Sequence, residues 1–278
     1  MSASHAGASP TPERSRLFWP EAPWCFAVTS PWLMAQQARS PWSPTLQRPT
    51  GTVGVPSGGD AARKKKVAGA THRVQLALPV AAIETAALVL LAHEGVTDTN
   101  ERAMFLAQLA HESGGFRHVR ENLHYRPARL LAVFPKYFRS IEDADAVAAD
   151  GEMAIAERIY GMRKGLGNTL PGDGAKFIGR GFIQLTGRAN YTVAGTFIGV
   201  DLVAHPELAE RADIALRIAG WFWQTRGIGP LARAGNVRKV TQLINGGTVG
   251  LTDREKRYEH YRLQILNSPM AASLTPKG

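Results

Sequence analysis

Cysteine is almost absent: Cys25 is the only one in 278 residues. A single thiol excludes an intramolecular disulfide framework and any cysteine zinc cluster. It fits a chain made in the cytosol. No run of about 18 apolar residues exists either, so stable membrane insertion is not expected. Acidic residues are in deficit, with 23 Asp and Glu against 33 Lys and Arg, a net charge of +10. Such an excess suits nucleic acid, an anionic membrane or the acidic polymers of a bacterial wall. No nucleic-acid motif of defined spacing is present. A nucleic-acid role would have to rest on the basic front end alone.

That front end also lacks pattern. Residues 1–73 hold 9 of the 17 prolines and 4 of the 6 tryptophans, with no sustained periodicity. They carry 9 Lys/Arg and 3 Asp/Glu, including Arg63-Lys64-Lys65-Lys66. Stretches such as PWSPTLQRPTGTVGVPSGGD contain too many breakers for a packed helix or central strand. The apolar stretch 24–38 is interrupted by Pro31 and makes a poor secretory signal. Residues 1–73 are expected to be a disordered basic segment, 74–268 a folded domain, and 269–278 a flexible tail.

What is present from about Val74 onward is helical periodicity. Residues 79–93 start at a proline and carry a broad apolar face. Asp98, Thr99 and Asn100 offer N-caps to a following helix with apolar residues at 103, 106, 107 and 110, stopped by Gly114-Gly115. Further helices are predicted over 127–134, 140–149, 151–160, 188–198, 206–226, 236–244 and 251–267. Only FIQL, 182–185, reads as a short strand. Trp221 and Phe222 continue an apolar helix face and read as core.

Within this frame the stretch HESGGFRHVREN, residues 111–122, places Glu112 and Glu121 on either side of a backbone break. The zinc-protease pattern HExxH fails here, because position 115 is glycine. His111 therefore reads as a packed or hydrogen-bonded histidine beside a site rather than a metal ligand. Glu112, at a helix C-terminus among Phe105, Leu109 and Phe116, is expected to have a raised pKa and to suit a general acid. Glu121, beside Arg117 and Arg120, is expected in a wetter, cationic setting that keeps it ionised as a base. Two carboxyls with separated pKa values are the usual pair for glycoside hydrolysis. Two unrelated surface acids remain the alternative. The stretch GDGAKFIGRGFIQLTGRANY, 172–191, has five glycines and the short polar groups Gln184, Thr186 and Asn190. It reads as either a ligand-approaching loop or a glycine-rich surface loop. It lacks the spacing of a nucleotide-binding turn. Asn245, in INGG, stands at a helix end where it could simply cap.

Taken in order, HESGGF, ENLHY, LLAVFPKYF, GRGFIQLTGRANY and INGG followed by an arginine resemble glycoside hydrolase family 19. That family includes chitinases and phage-type endolysins, and the resemblance covers about residues 79–265. It implies a mainly α, two-lobed, lysozyme-like domain with a central cleft. By the same resemblance Glu112 is the general acid, Glu121 the general base, and Thr186 helps to hold the nucleophilic water. Gln184, Asn190, Asn245, Arg254 and the neighbouring His111 would contact substrate. Ala189 departs from the plant pattern, which has an aromatic residue there, and the plant disulfides and chitin-binding module are missing. The resemblance points to an inverting endo-β-1,4-glycosidase without metal or organic cofactor, acting as a monomer on peptidoglycan first or chitin second. Its expected place of action is the cell wall or the exterior, after release. An inactive sugar-binding module of a phage or secreted particle is the alternative.

Overall fold

The computed structural model describes residues 78–268. The expected front segment 1–73 and tail 269–278 lie outside these residues. Eleven α-helices and two 3-10 turns make up the described part, and no strand is formed among them. The helices are α1 (Val80–His93), α2 (Thr99–Glu112), α3 (Pro127–Val133), α4 (Ile141–Ala149), α5 (Glu152–Tyr160), α6 (Asp173–Lys176), α7 (Arg188–Ile198), α8 (Ala212–Thr225), α9 (Gly229–Arg233), α10 (Val237–Asn245) and α11 (Leu251–Leu266).

Local chemistry explains most of these boundaries. The Asp98 carboxylate accepts from the Glu101 N–H at 2.9 Å and caps α2, a contact worth about 1 kcal/mol. The other end of α2 stops where Gly114 and Gly115 take φ of 61° and 77°. The Ser113 hydroxyl reinforces this stop, donating to Leu109 O at 2.6 Å and accepting from Phe116 N–H at 2.8 Å. Phe116 itself adopts a positive φ. Burial holds it there, with an edge contact to Phe182 at 5.3 Å between ring centroids.

Two expectations are corrected. The helix predicted over 206–226 is broken: Pro206–Glu210 is a 3-10 turn, and α8 begins only after Arg211 in extended conformation. The Glu210 carboxylate is turned inward to Arg180 at 2.8 Å, a contact that fixes this turn apart from α8. The FIQL strand does not form. Arg180 and Leu185 exchange both backbone hydrogen bonds, at 3.1 and 2.8 Å, so 181–184 is the turn of a minimal hairpin. Its apolar residues enter the core as turn residues rather than as one face of a sheet.

Two hydrophobic cores result. The larger one surrounds α2, whose residues 101–110 are buried on every side, and includes Trp221, Phe222 and Trp223. It is closed by α11, which packs along α2. The smaller core gathers Leu123, Leu130, Phe134, Phe138, Ile155, Ile159 and Tyr160 from the region of α3, α4 and α5. The chain crosses between the cores from Val119 to Leu123 and again from Phe177 to Ile178. Glu121 and Gly179 stand on or next to these crossings.

Candidate active site

Glu112 ends α2 inside the larger lobe, and its side chain is 5% exposed. Its carboxylate does not meet the apolar surroundings expected for it. It is paired with the guanidinium of Arg254 from α11, which also donates to Gln108 on α2. Arg254 is 1% exposed, so it does not line the surface of a cleft as a substrate contact. Both partners are buried, and removing one would leave an uncompensated charge at a cost of roughly 3–5 kcal/mol. His111, one residue earlier, is joined to the same helix through Asp253, with Nδ1 2.7 Å from Oδ2. Arg257 also holds Asp253, at 2.6 Å. His111 thus serves the α2–α11 joint, leaving its ring only partly accessible.

Glu121 sits on the crossing to the smaller lobe, and both carboxyl oxygens are engaged. Oε1 accepts from the Gly179 N–H at 2.6 Å, and Oε2 accepts from the Tyr160 hydroxyl at 2.9 Å. The Glu121 backbone N–H donates to Gly179 O at 2.9 Å, locking the two segments together. The wetter setting predicted from Arg117 and Arg120 is not found. Burial pushes the Glu121 carboxyl up, and the bonds from Gly179 and Tyr160 and the charges of Arg180 and Arg120 only partly oppose it. The Glu121 carboxyl also works on Tyr160, whose hydroxyl is driven far above its ordinary value chiefly by burial.

Gly179 is where the second group of predicted residues meets the first. A Cβ there would lie 3.0 Å from Gln184 Oε1, 3.3 Å from Thr186 Oγ1 and 3.4 Å from Glu121 Cβ. All three side chains therefore converge on one small space that only glycine leaves open. Thr186 donates its hydroxyl proton to Gln184 O at 2.9 Å, so its oxygen lone pairs can accept from a water. Gln184 is held at a φ of 53°, a left-handed value unusual for a non-glycine residue, and its amide donates to Gly181 O at 3.1 Å. Asn190 is buried and donates to Thr186 O at 2.7 Å, which makes it a support for Thr186. Asn245 is committed to its own loop, accepting from Gly247 N–H and donating to Val249 O, both at 2.9 Å.

Sequence reasoning missed Tyr160, Arg180 and Glu210. Arg180 is buried and bonded to Glu210 at 2.8 Å and to Tyr191 Oη at 3.1 Å, while Tyr191 donates to Ile178 O at 2.7 Å. This network holds the strip 178–180 against which Glu121 rests. Arg180 lay within the GRG motif and so was open to notice; Tyr160 carried no signal. A groove of about 340 Å³ beside α7 contains one carboxylate, Asp201, which accepts from Val203 and Ala204 N–H. It has no carboxyl pair. Among the described residues no cluster of three or more His, Cys, Asp or Glu could hold a metal ion, and no helix is long and apolar enough to cross a membrane.

The chain is similar to known proteins. A glycosyl hydrolase family 19 domain-containing protein of Haemophilus influenzae is 41% identical over 165 residues, covering 59% of this chain and 80% of that protein. The chain belongs to glycosyl hydrolase family 19. The family model described as class I chitinase matches residues 167–237, a span that includes Gly179, Thr186 and Glu210. An acidic endochitinase of Solanum lycopersicum is 53% identical over 53 residues, 19% of this chain and 22% of that one. A solved bacterial family 19 chitinase superposes with a TM-score of 0.42 at 25% identity, covering 67% of this chain and 85% of that one. As a family 19 member the protein is a glycoside hydrolase with a polysaccharide substrate.

Proposed function

We propose that the protein is an inverting endo-β-1,4-glycosidase that cleaves N-acetylglucosamine-containing cell-wall polysaccharide, with peptidoglycan as the main substrate. The observation that carries this reading is the convergence of Glu121, Thr186 and Gln184 on Gly179, with Glu112 anchored separately on α2. Glu112 protonates the leaving glycosidic oxygen. Glu121 and Thr186 hold a water on the opposite face of the sugar, and Glu121 takes its proton as the water attacks the anomeric carbon. A raised pKa makes Glu121 the stronger base once it is ionised. The Arg254 guanidinium holds the Glu112 side chain in place and is itself oriented by Gln108, which accepts from it.

Chitin is the second reading, favoured by relatives that are named endochitinases. Both polymers share the sugar and the linkage, so the groups around Gly179 serve either. The basic net charge favours the anionic wall polymer. The protein works as a monomer at the wall or outside the producing cell.

Clearing of permeabilised Gram-negative cells, run beside sugar release from soluble chitin, tests the assignment. Wild type should clear the cells. Glu112→Gln, folded by circular dichroism, should lose at least roughly 10²-fold in turnover on both polymers, the scale of a missing general acid. Near-normal turnover in the folded variant would overturn the role of Glu112.

A further inference from the structure

Two arginines stand beside Glu121, Arg120 before it in the chain and Arg180 after Gly179, and both guanidinium groups turn to another carboxylate. Arg180 Nε donates to Glu210 Oε1 at 2.8 Å, and Arg120 Nη1 approaches the same oxygen at 4.0 Å. The backbones of Arg120 and Arg180 are bridged to each other, so both side chains start from one place. Glu210 and Arg180 are buried, which leaves little water to screen their pairing. Arg180 Nη1 is committed as well, to Lys176 O at 2.8 Å and Tyr191 Oη at 3.1 Å. The oxygens of Glu121 are left to neutral donors, the Gly179 N–H at 2.6 Å and the Tyr160 hydroxyl at 2.9 Å.

The other titratable groups that face Glu121 are phenols: Tyr125, Tyr160 of α5 and Tyr191 of α7, all pushed above their ordinary values chiefly by burial. The acids of α4 and α5 have other partners. Asp143 holds Arg158 at 2.5 Å, Glu152 holds His124 at 2.6 Å, and Glu157 accepts from the Gly172 and Ala175 N–H groups at 3.0 Å. The positive charges acting on Glu121 come from Arg180 and Arg120, and Glu210 is the carboxylate in contact with both. An arginine fork without a carboxylate of its own would take the one beside it, and a paired carboxylate is a weaker base. We propose that Glu210 is a positioning residue for the hydrolytic base: it holds Arg180 and Arg120 away from Glu121 and so leaves that carboxylate directed at the water beside Gly179. The inference rests on Glu121 as the base. Glu210 acts through the two arginines and does not touch substrate.

The test measures kcat and KM across pH for Glu210→Gln and Glu210→Asp in the full chain, on wall strands and chitooligosaccharides, beside thermal melting. In Glu210→Gln the released guanidinium charges favour ionised Glu121, so the acidic limb of kcat/KM should move to lower pH. Tyr160→Phe, which removes a donor to the same carboxyl, should move it the other way. At the plateau kcat should fall about three- to tenfold, with KM within about twofold, because the base is weaker. Glu210→Asp keeps the charge on a shorter stem; it should show a smaller shift in the same direction, and it supplies the reading if Glu210→Gln does not fold. Adding Arg120→Gln to Glu210→Gln should carry the limb back towards wild type. A lower melting temperature with an unmoved or raised limb would make Glu210 merely structural and overturn the inference. Glu121→Gln separates the two readings. Near-normal turnover in that variant would remove the base itself, whereas its inactivity beside an unmoved limb in the Glu210 variants would overturn this inference alone.

Discussion

Glu121 shows how far one residue's chemistry departs from its sequence neighbours. Arg117 and Arg120 flank it in the chain, yet the groups that touch its carboxyl come from 39 and 58 residues away. Its raised pKa has a direct consequence for activity. A base is inactive while protonated, so kcat/KM should fall as pH drops through a value above the ordinary glutamate range. Tyr160 donates to the ionised form and holds the pKa down. Tyr160→Phe should therefore move the acidic limb to still higher pH. A pH–rate profile of both proteins checks this; an unmoved limb, or one moved down, would separate Glu121 from the base role. Glu112 was legible from HESGG, as was its place at a helix end. Its partner was placed on the wrong side of the argument. Arg254 was expected to contact substrate on the strength of the family resemblance alone, whereas α11 buries it against α2.

At the scale of the element, the hairpin around 180–185 decides the site. Long helices were readable because their apolar faces recur at helical spacing and because Asp98 and Gly114-Gly115 mark the ends of α2. The hairpin was not, because one pair of exchanged hydrogen bonds between Arg180 and Leu185 leaves no run long enough to alternate. The break before α8 was hidden for a related reason. Its cause is the Glu210–Arg180 contact, which no local pattern records. The close approach at Gly179 gives the element its own test. Gly179→Ala would press a methyl group against Gln184, Thr186 and Glu121 at 3.0 to 3.4 Å. The chain should still fold, while kcat falls roughly tenfold or more, since displacements well under 1 Å disturb a reacting geometry. Thermal melting beside steady-state kinetics separates the two effects. An unchanged kcat would mean that the space in front of Gly179 is not where the water sits.

Across the whole molecule, two cores meet along chain segments on or next to which Glu121 and Gly179 stand, and this explains how two glutamates nine residues apart come to sit in different surroundings. Glu112 belongs to the larger lobe and is held by α11. Glu121 belongs to the crossing and is held by α5 and the hairpin. The mainly helical, two-lobed architecture was legible from helical periodicity and the ordered motifs together, while the separation of the two cores emerged only from packing. The central claim is that these carboxyls act as acid and base across a water, not as acid and nucleophile. Inverting pairs stand about 6.5–9.5 Å apart, and retaining pairs about 5–5.5 Å. Proton NMR of the freshly cut reducing end, recorded before mutarotation, reads the outcome directly. The account predicts the α-anomer as the first product, and an initial β-anomer would contradict it.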